Sequence, residues 1–324
     1  MKFTLQKIYA DEALRADMFL AKCLKQSRSQ IAQLIKSGGV LLNGKICDKS
    51  AVRLKIGDEI ELLEFKSQQH SANYEINFDI QILFEDEDLL VISKPAGVVV
   101  HSAASVKEAT LVDWLLAKGY ALSTLGGQVR AGLVHRLDKG TSGAMIVAKN
   151  NATHQFLSKQ LADKSMGRFY LALTNLPLKD DIIIVEKPLT RSPKNRLKKI
   201  ALKESTKGAR VAKSAFVNLL SQNGVNLIAA KLFTGRTHQI RAHLESLNRH
   251  ILGDELYGYR GKKVSRVMLH SYFLYFTHPK KMEKIFIKAP IYKDFGMITN
   301  KFDKGEFDEK TSLDYIKRCF DACI

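Results

Sequence analysis

The stretch GLVHRLDKGTSGAMIVAKN, residues 132–150, sets a run of polar and small residues between two apolar segments. Apolar GLV before it and AMIVA after it predict two buried strands joined by a tight loop, and polar side chains in such a loop are held rigidly. Working outward, the β character continues. DIQILFEDEDLLVISKP (79–95) reads as strand, acidic turn and strand, RFYLALTNL (168–176) as another strand, and further β segments fall near 209–220, 225–233, 266–276 and 284–289. Helical periods interrupt this run in TLVDWLLAKG, capped at Thr110, in NATHQFLSKQLADK, capped at Asn151, and from Thr237 to Leu247, where Ile240, Leu244 and Leu247 share a face. Strands and helices do not alternate regularly, so the predicted class is α+β with a mostly antiparallel mixed sheet. No internal repeat is present.

Residues 14–63 predict a separate small α/β module. LRADMFLAKCLKQ has a helical period, and SRSQIAQLIKSGG gives a second helix with Ser27 or Ser29 as cap, Ile31, Leu34 and Ile35 on one face, and Gly38 as stop. Val40-Leu41-Leu42 before Asn43-Gly44 signals a hairpin, and Gly57-Asp58 marks a turn into a strand. Residues 64–74 lack hydrophobicity and period and read as a linker. The large domain is expected over 75–298, with a C-terminal tail at 299–324.

Charge narrows the function. Lys and Arg number 51 against 33 Asp and Glu, a net +18, which calls for an anionic polymer as partner. Arg15, Lys22, Lys25, Arg28, Lys36 and Lys45 make the small module basic, and such clustering favours RNA. Between 190 and 213, nine cations, among them Arg191, Lys194 and Arg196, face the single acid Glu204, a pattern suited to phosphate contact. No apolar run is long enough to span a membrane, and the start of the chain shows no export signal. Cys23, Cys47, Cys319 and Cys323 lack CxxC spacing and are expected to be free thiols in a reducing cytoplasm.

The anchors of several chemistries are missing: GxxxxGK[ST], a convincing GxGxxG, HExxH and paired CxxC. His238 and His243 are five apart, the wrong spacing for adjacent ligands on one helical face, so no metal site is expected. What remains is the 135–143 loop. Taken alone it can be a turn in which Asp138 makes an Asx-type bond and Gly140 supplies positive φ. Other motifs argue for more. HRLDKGTSG, together with RFYLA at 168–172 and TGRTHQIR at 234–241, closely resembles the RluA family of pseudouridine synthases. Residues 14–63 resemble an S4 RNA-binding domain. Lys94-Pro95-Ala96-Gly97-Val98 before His101, Leu252-Gly253-Asp254 before Tyr257-Gly258, and Leu269-His270 before His278-Pro279 agree with the same family. Phe169 before the tyrosine and Ser271 after His270 are mild departures that touch no catalytic position.

The resemblance implies that Asp138 is the catalytic aspartate, Tyr170 the residue stacked on the target base, Arg241 the arginine paired with the aspartate, and Arg136 the side chain that enters the RNA stack as the uridine flips out. Arg236 and His238 stand in the same motif and are expected to contact RNA. Isomerisation consumes no electrons, phosphate or water, so no cofactor is implied. A carboxylate beside the ribose can act as nucleophile or as base, and both routes are open. Extruding the base costs a few kcal/mol, which Arg136 and stacking can offset. The expected protein is a monomeric, cytoplasmic enzyme acting on large-subunit ribosomal RNA, most like the D-type synthase. A transfer-RNA enzyme and a non-catalytic ribosome-assembly factor are the rival readings.

Overall fold

The computed structural model describes residues 3–24, 28–36, 38–64, 74–103, 105–222, 224–262 and 264–321. Lys25, Ser27, Cys323 and nearly all of the expected linker, 65–73, lie outside the described residues, as does the Ser29 side chain.

The first unit is a four-stranded antiparallel sheet in the order β1-β4-β2-β3, from β1 (Phe3–Tyr9), β2 (Val40–Leu42), β3 (Lys45–Ile46) and β4 (Glu59–Glu64). Helices α1 (Ala16–Cys23) and α2 (Arg28–Lys36) contribute Phe19, Leu20, Ile31 and Ile35 to a core shared with Val40, Leu54 and Ile60. Asn43 (φ 50°) and Gly44 (φ 75°) form the hairpin turn, a left-handed pair that matches the twist of the strands it joins. The sheet starts earlier than the sequence pattern indicates, because β1 pairs along β4 from Phe3 to Tyr9.

The second unit is a nine-stranded sheet, from β5 (Gln81–Glu85), β6 (Leu89–Lys94), β7 (Ser142–Ala148), β8 (Gly167–Thr174), β9 (Ile182–Glu186), β12 (Lys213–Gln222), β13 (Val225–Leu232), β14 (Leu269–Thr277) and β15 (Lys284–Lys288). The order is β5-β6-β7-β14-β8-β13-β12-β9, with β15 added to β14. Every neighbouring pair is antiparallel except β7 and β14, so the mixed, mostly antiparallel α+β class holds. At that parallel junction Gly143 has φ +110°, and a Cβ there would sit 2.2 Å from the Ser271 carbonyl oxygen. A short hairpin of β10 (Leu189–Arg191) and β11 (Lys199–Ala201) stands apart from the sheet. Strands β6, β7 and β8 are buried along their whole length.

Helices α3 (Leu111–Ala117), α4 (Asn151–Asp163), α5 (Gln239–Glu245), α6 (Lys293–Thr299), α7 (Lys304–Lys310) and α8 (Leu313–Asp321) complete the described elements. Thr110 and Asp113 form a reciprocal capping box on α3. The cap of α4 is Asn150, one residue before the expected Asn151: Asn150 accepts from the Thr153 N–H at 2.9 Å, while Asn151 accepts from Ser123 Oγ and the Thr124 N–H. GLV forms only the bridge Leu133 to Val147 in place of a strand. Residues 299–324, expected as a tail, include α7 and α8, and Ile316 and Phe320 are fully buried in the main core, with Phe320 stacked on Phe169.

Candidate active site

The 135–141 loop, the start of β8 and the 232–241 segment between β13 and α5 enclose one cavity of about 340 Å³. The loop is pinned from beneath. Lys94, with no solvent exposure, donates to the carbonyls of Pro95 (2.7 Å), Val98 (2.9 Å) and Lys139 (3.4 Å), and the Gly97 N–H also reaches the Lys139 carbonyl. Burial pushes the Lys94 ammonium down to about 7 against the pull of Asp138. His135 accepts from the Ile146 N–H through Nε2, tying the loop to β7.

The turn-only reading of this loop does not hold. The Asp138 backbone carbonyl accepts from the Thr141 N–H, but among the described residues its carboxylate accepts no hydrogen bond, and the left-handed glycine is Gly143, not Gly140. Arg241 Nη1 lies 3.6 Å from Asp138 Oδ2 and His238 Nε2 3.8 Å away. Burial lowers the pKa of His238, which leaves Arg241 as the charged neighbour. Arg241 itself is clamped elsewhere: Nε and Nη2 donate at 2.7 Å to the two oxygens of the buried Asp254, and its guanidinium lies 4.6 Å from the centre of the Tyr257 ring. A bidentate buried pair of this kind fixes orientation as well as charge, so Nη1 is presented to Asp138 as a rigid donor.

Six of the residues singled out by motif therefore meet in one place, since Asp138, Tyr170, Arg241, Arg136, Arg236 and His238 all line the cavity. Tyr170 is 4% exposed, and burial pushes its phenol above the usual tyrosine range. Arg136 sits exposed at the rim with Nη1 3.2 Å from His101 Nε2, and burial pushes His101 down to about 4, so the ring stays neutral. Arg236 is exposed and donates to the Val211 carbonyl. Arg191, Lys194 and Arg196 do not line the cavity; they are exposed on and beside the β10–β11 hairpin, which is tied to α5 by a Lys198–Glu245 ion pair and to Tyr257 by the Lys199 N–H. In the first unit Lys36 is exposed, while Arg15 and Arg28 converge on the buried Asp17 at 2.9 and 3.1 Å and are partly neutralised by it.

Sequence reasoning gives no role to Asp254, Lys164, Arg130 or Arg168. Asp254 stands within a family motif, but its pairing to Arg241 joins residues 13 apart across a turn, and no local pattern announces it. Of the residues that line the cavity Asp138 is the sole carboxylate, against Arg130, Arg136, Lys164, Arg168, Arg236 and Arg241. Outside the cavity, Asp86, Asp88 and His278 could offer a metal three ligand atoms, yet each already has partners: His278 with Asp86 at 2.6 Å, and Asp88 with Asn150 and Lys280.

Comparison with known proteins now gives the class. Residues 88–246 match the family described as RNA pseudouridylate synthase and residues 14–60 match the S4 domain, which makes this an RNA-modifying enzyme core carrying an S4 unit. An RNA pseudouridine synthase of Helicobacter pylori is 51% identical over 98% of this chain and 100% of its own length. A protein of Neisseria meningitidis named ribosomal large subunit pseudouridine synthase D is 36% identical over 86% of this chain and 76% of its own. The solved structure of human RNA pseudouridylate synthase domain containing 1 shares the fold, with a TM-score of 0.55 at 22% identity over 75% of this chain and 95% of that one. The chain belongs to the RluA family of RNA pseudouridine synthases, with an N-terminal S4 domain. No described helix is long and apolar enough to cross a membrane.

Proposed function

We propose that the chain isomerises specific uridines of large-subunit ribosomal RNA, as a D-type synthase, with Asp138 as its catalytic carboxylate. The observation that carries this reading is the solitary carboxylate of Asp138 in a cavity whose other charged lining groups, Arg130, Arg136, Lys164, Arg168, Arg236 and Arg241, are all cationic. The reaction breaks the ribose C1′–N1 bond, turns the base, joins C1′ to C5, releases the C5 proton and leaves N1 protonated. Asp138 acts at the ribose, where a free carboxylate can serve as nucleophile or as base. Tyr170 packs on the base. Its raised pKa keeps the phenol protonated at neutral pH, so it supplies a surface and a hydrogen-bonding hydroxyl and not a standing phenolate. Arg241, aimed by Asp254, holds the charge of Asp138, and Arg136 fills the gap left by the extruded base.

Arg236 and His238 at the cavity, Arg191, Lys194 and Arg196 on the hairpin, and Arg15, Arg28 and Lys36 in the S4 unit are the RNA contacts in this reading. The division into an S4 unit that begins with β1, a linker, and a catalytic unit that takes in α7 and α8 goes with it, as does a monomer working in the cytoplasm. Support for the large-subunit target comes from relatives of Neisseria meningitidis and Zymomonas mobilis, both 36% identical and both named ribosomal large subunit pseudouridine synthase D. Mapping pseudouridines by chemical labelling in RNA from cells with and without this chain is the test. Loss of sites confined to large-subunit RNA is expected. Loss confined to transfer RNA would move the target, and an unchanged map would leave only the assembly-factor reading.

A further inference from the structure

We propose that the guanidinium of Arg168 is an anion subsite that grips an RNA phosphate beside the reacting uridine; the inference rests on the isomerase reading above. Arg168 stands two residues before Tyr170 on β8, so both side chains leave the same face of the strand, and both line the cavity. Arg168 is 8% exposed, and its Nε and Nη1 are buried without a hydrogen-bond partner among the described residues. The other buried cations are matched. Arg241 is clamped by Asp254 and Lys94 by carbonyls. An unpaired charge held inside a protein costs several kcal/mol, which an anion brought from outside the chain would offset.

Among the described residues no carboxylate forms an ion pair with Arg168, although Asp321 acts on the neighbouring Tyr275. The Arg168 charge acts on His135 and on the phenols of Tyr170 and Tyr275, all neutral at pH 7. Asp138 faces Arg241 and His238 instead. Gly235 puts no side chain against the guanidinium: a Cβ built there would lie 4.0 Å from Arg168 Nη2, in contact with it. Lys164 and Arg236, both exposed, add positive charge to the cavity wall. RNA brings base, ribose and phosphate acceptors into such a space, and only the phosphate carries the charge that offsets a buried guanidinium.

The test uses the full chain and oligocytidylates that contain one uridine, which sets the register, with a methylphosphonate placed at each linkage in turn. Arg168→Met is expected to weaken binding about tenfold, the effect of removing one charged hydrogen bond. It should also reduce the slope of log Kd against log salt by about 0.7, one single-strand phosphate. At one linkage, methylphosphonate should weaken the wild type but leave Arg168→Met unchanged. An unaltered salt slope with additive losses at every linkage overturns the proposal and makes Arg168 a base contact or scaffold. Should Arg168→Met not fold, Arg168→Lys is scanned in its place: the effect at the sensitive linkage then shrinks, and undiminished losses at every linkage are equally fatal. The isomerase reading fails separately, through an unchanged cellular pseudouridine map.

Discussion

Among single residues, Asp138 separates chemistry from folding. Its carboxylate accepts no hydrogen bond among the described residues and meets Arg241 only at 3.6 Å, so exchanging it for a neutral near-isostere disturbs little else. Asp138→Asn should fold normally and bind RNA as well as the wild type, yet retain less than about 1% of turnover, a barrier increase of roughly 3 kcal/mol. Single-turnover isomerisation beside a binding curve checks this, and turnover above that level removes Asp138 from the chemistry. Lys94 gives a pH signature. Its folded pKa of about 7 lies below the ordinary lysine value, so between the two the unfolded chain holds a proton that the folded chain has released. Stability therefore rises with pH through that window, and below about 7 both states are protonated and the slope vanishes. The melting-temperature gap between wild type and Lys94→Met should widen from about pH 7 to about pH 9, and a constant gap would mean that Lys94 stays charged in the fold. Motif spacing makes Asp138, Tyr170, Arg241 and Arg136 legible because each sits in a short contiguous signature. Asp254 and Arg168 are not legible, because their meaning lies in which partner they have or lack, and that is decided only in the fold, where α5 meets the turn before Tyr257 and β8 takes its place in the sheet.

Secondary-structure elements are legible in proportion to their burial. Strands β6, β7 and β8 are apolar runs buried on both faces, and the cap of α3 declares itself at Thr110. Strand β1 escapes a reading of the sequence because FTLQKIY has no clear period and becomes a strand only by pairing with β4. The α7–α8 segment escapes it for a related reason: short helices rich in Lys, Asp and Glu look like a solvated tail until the few apolar residues, Ile316 and Phe320, meet the core. Phe320 is fully buried and stacks on Phe169 with ring centres 5.5 Å apart, directly beside Tyr170. Phe320→Ala should cost about 3–5 kcal/mol, the usual range for emptying a core aromatic site. Denaturant titration measures it. A loss below about 1 kcal/mol would put the last helix outside the cooperative unit.

For the chain as a whole, the question is how its excess positive charge is shared between two units that each have their own hydrophobic core. Residues 1–73 hold 12 Lys and Arg against 8 Asp and Glu, only +4 of the net +18. Two of those arginines, Arg15 and Arg28, are partly spent on Asp17. On the proposed function the bulk of the field that draws in RNA belongs to the catalytic unit, with the cavity and the β10–β11 hairpin gathering it, and the S4 unit is expected to add a second, weaker hold. Deleting residues 1–73 removes one core without cutting into the other, so the remaining chain should fold and keep isomerising a short unstructured RNA. Its affinity for structured RNA should fall, and the slope of log Kd against log salt should become shallower, since every phosphate no longer neutralised by the protein takes about 0.7–0.9 from it. More than half of the original slope should survive, in keeping with the distribution of charge. An unchanged slope would show that the S4 unit does not hold phosphates at all, whereas a slope falling nearly to zero would mean that the catalytic unit binds by shape and base contacts and that its cationic cavity is filled by something other than the RNA backbone.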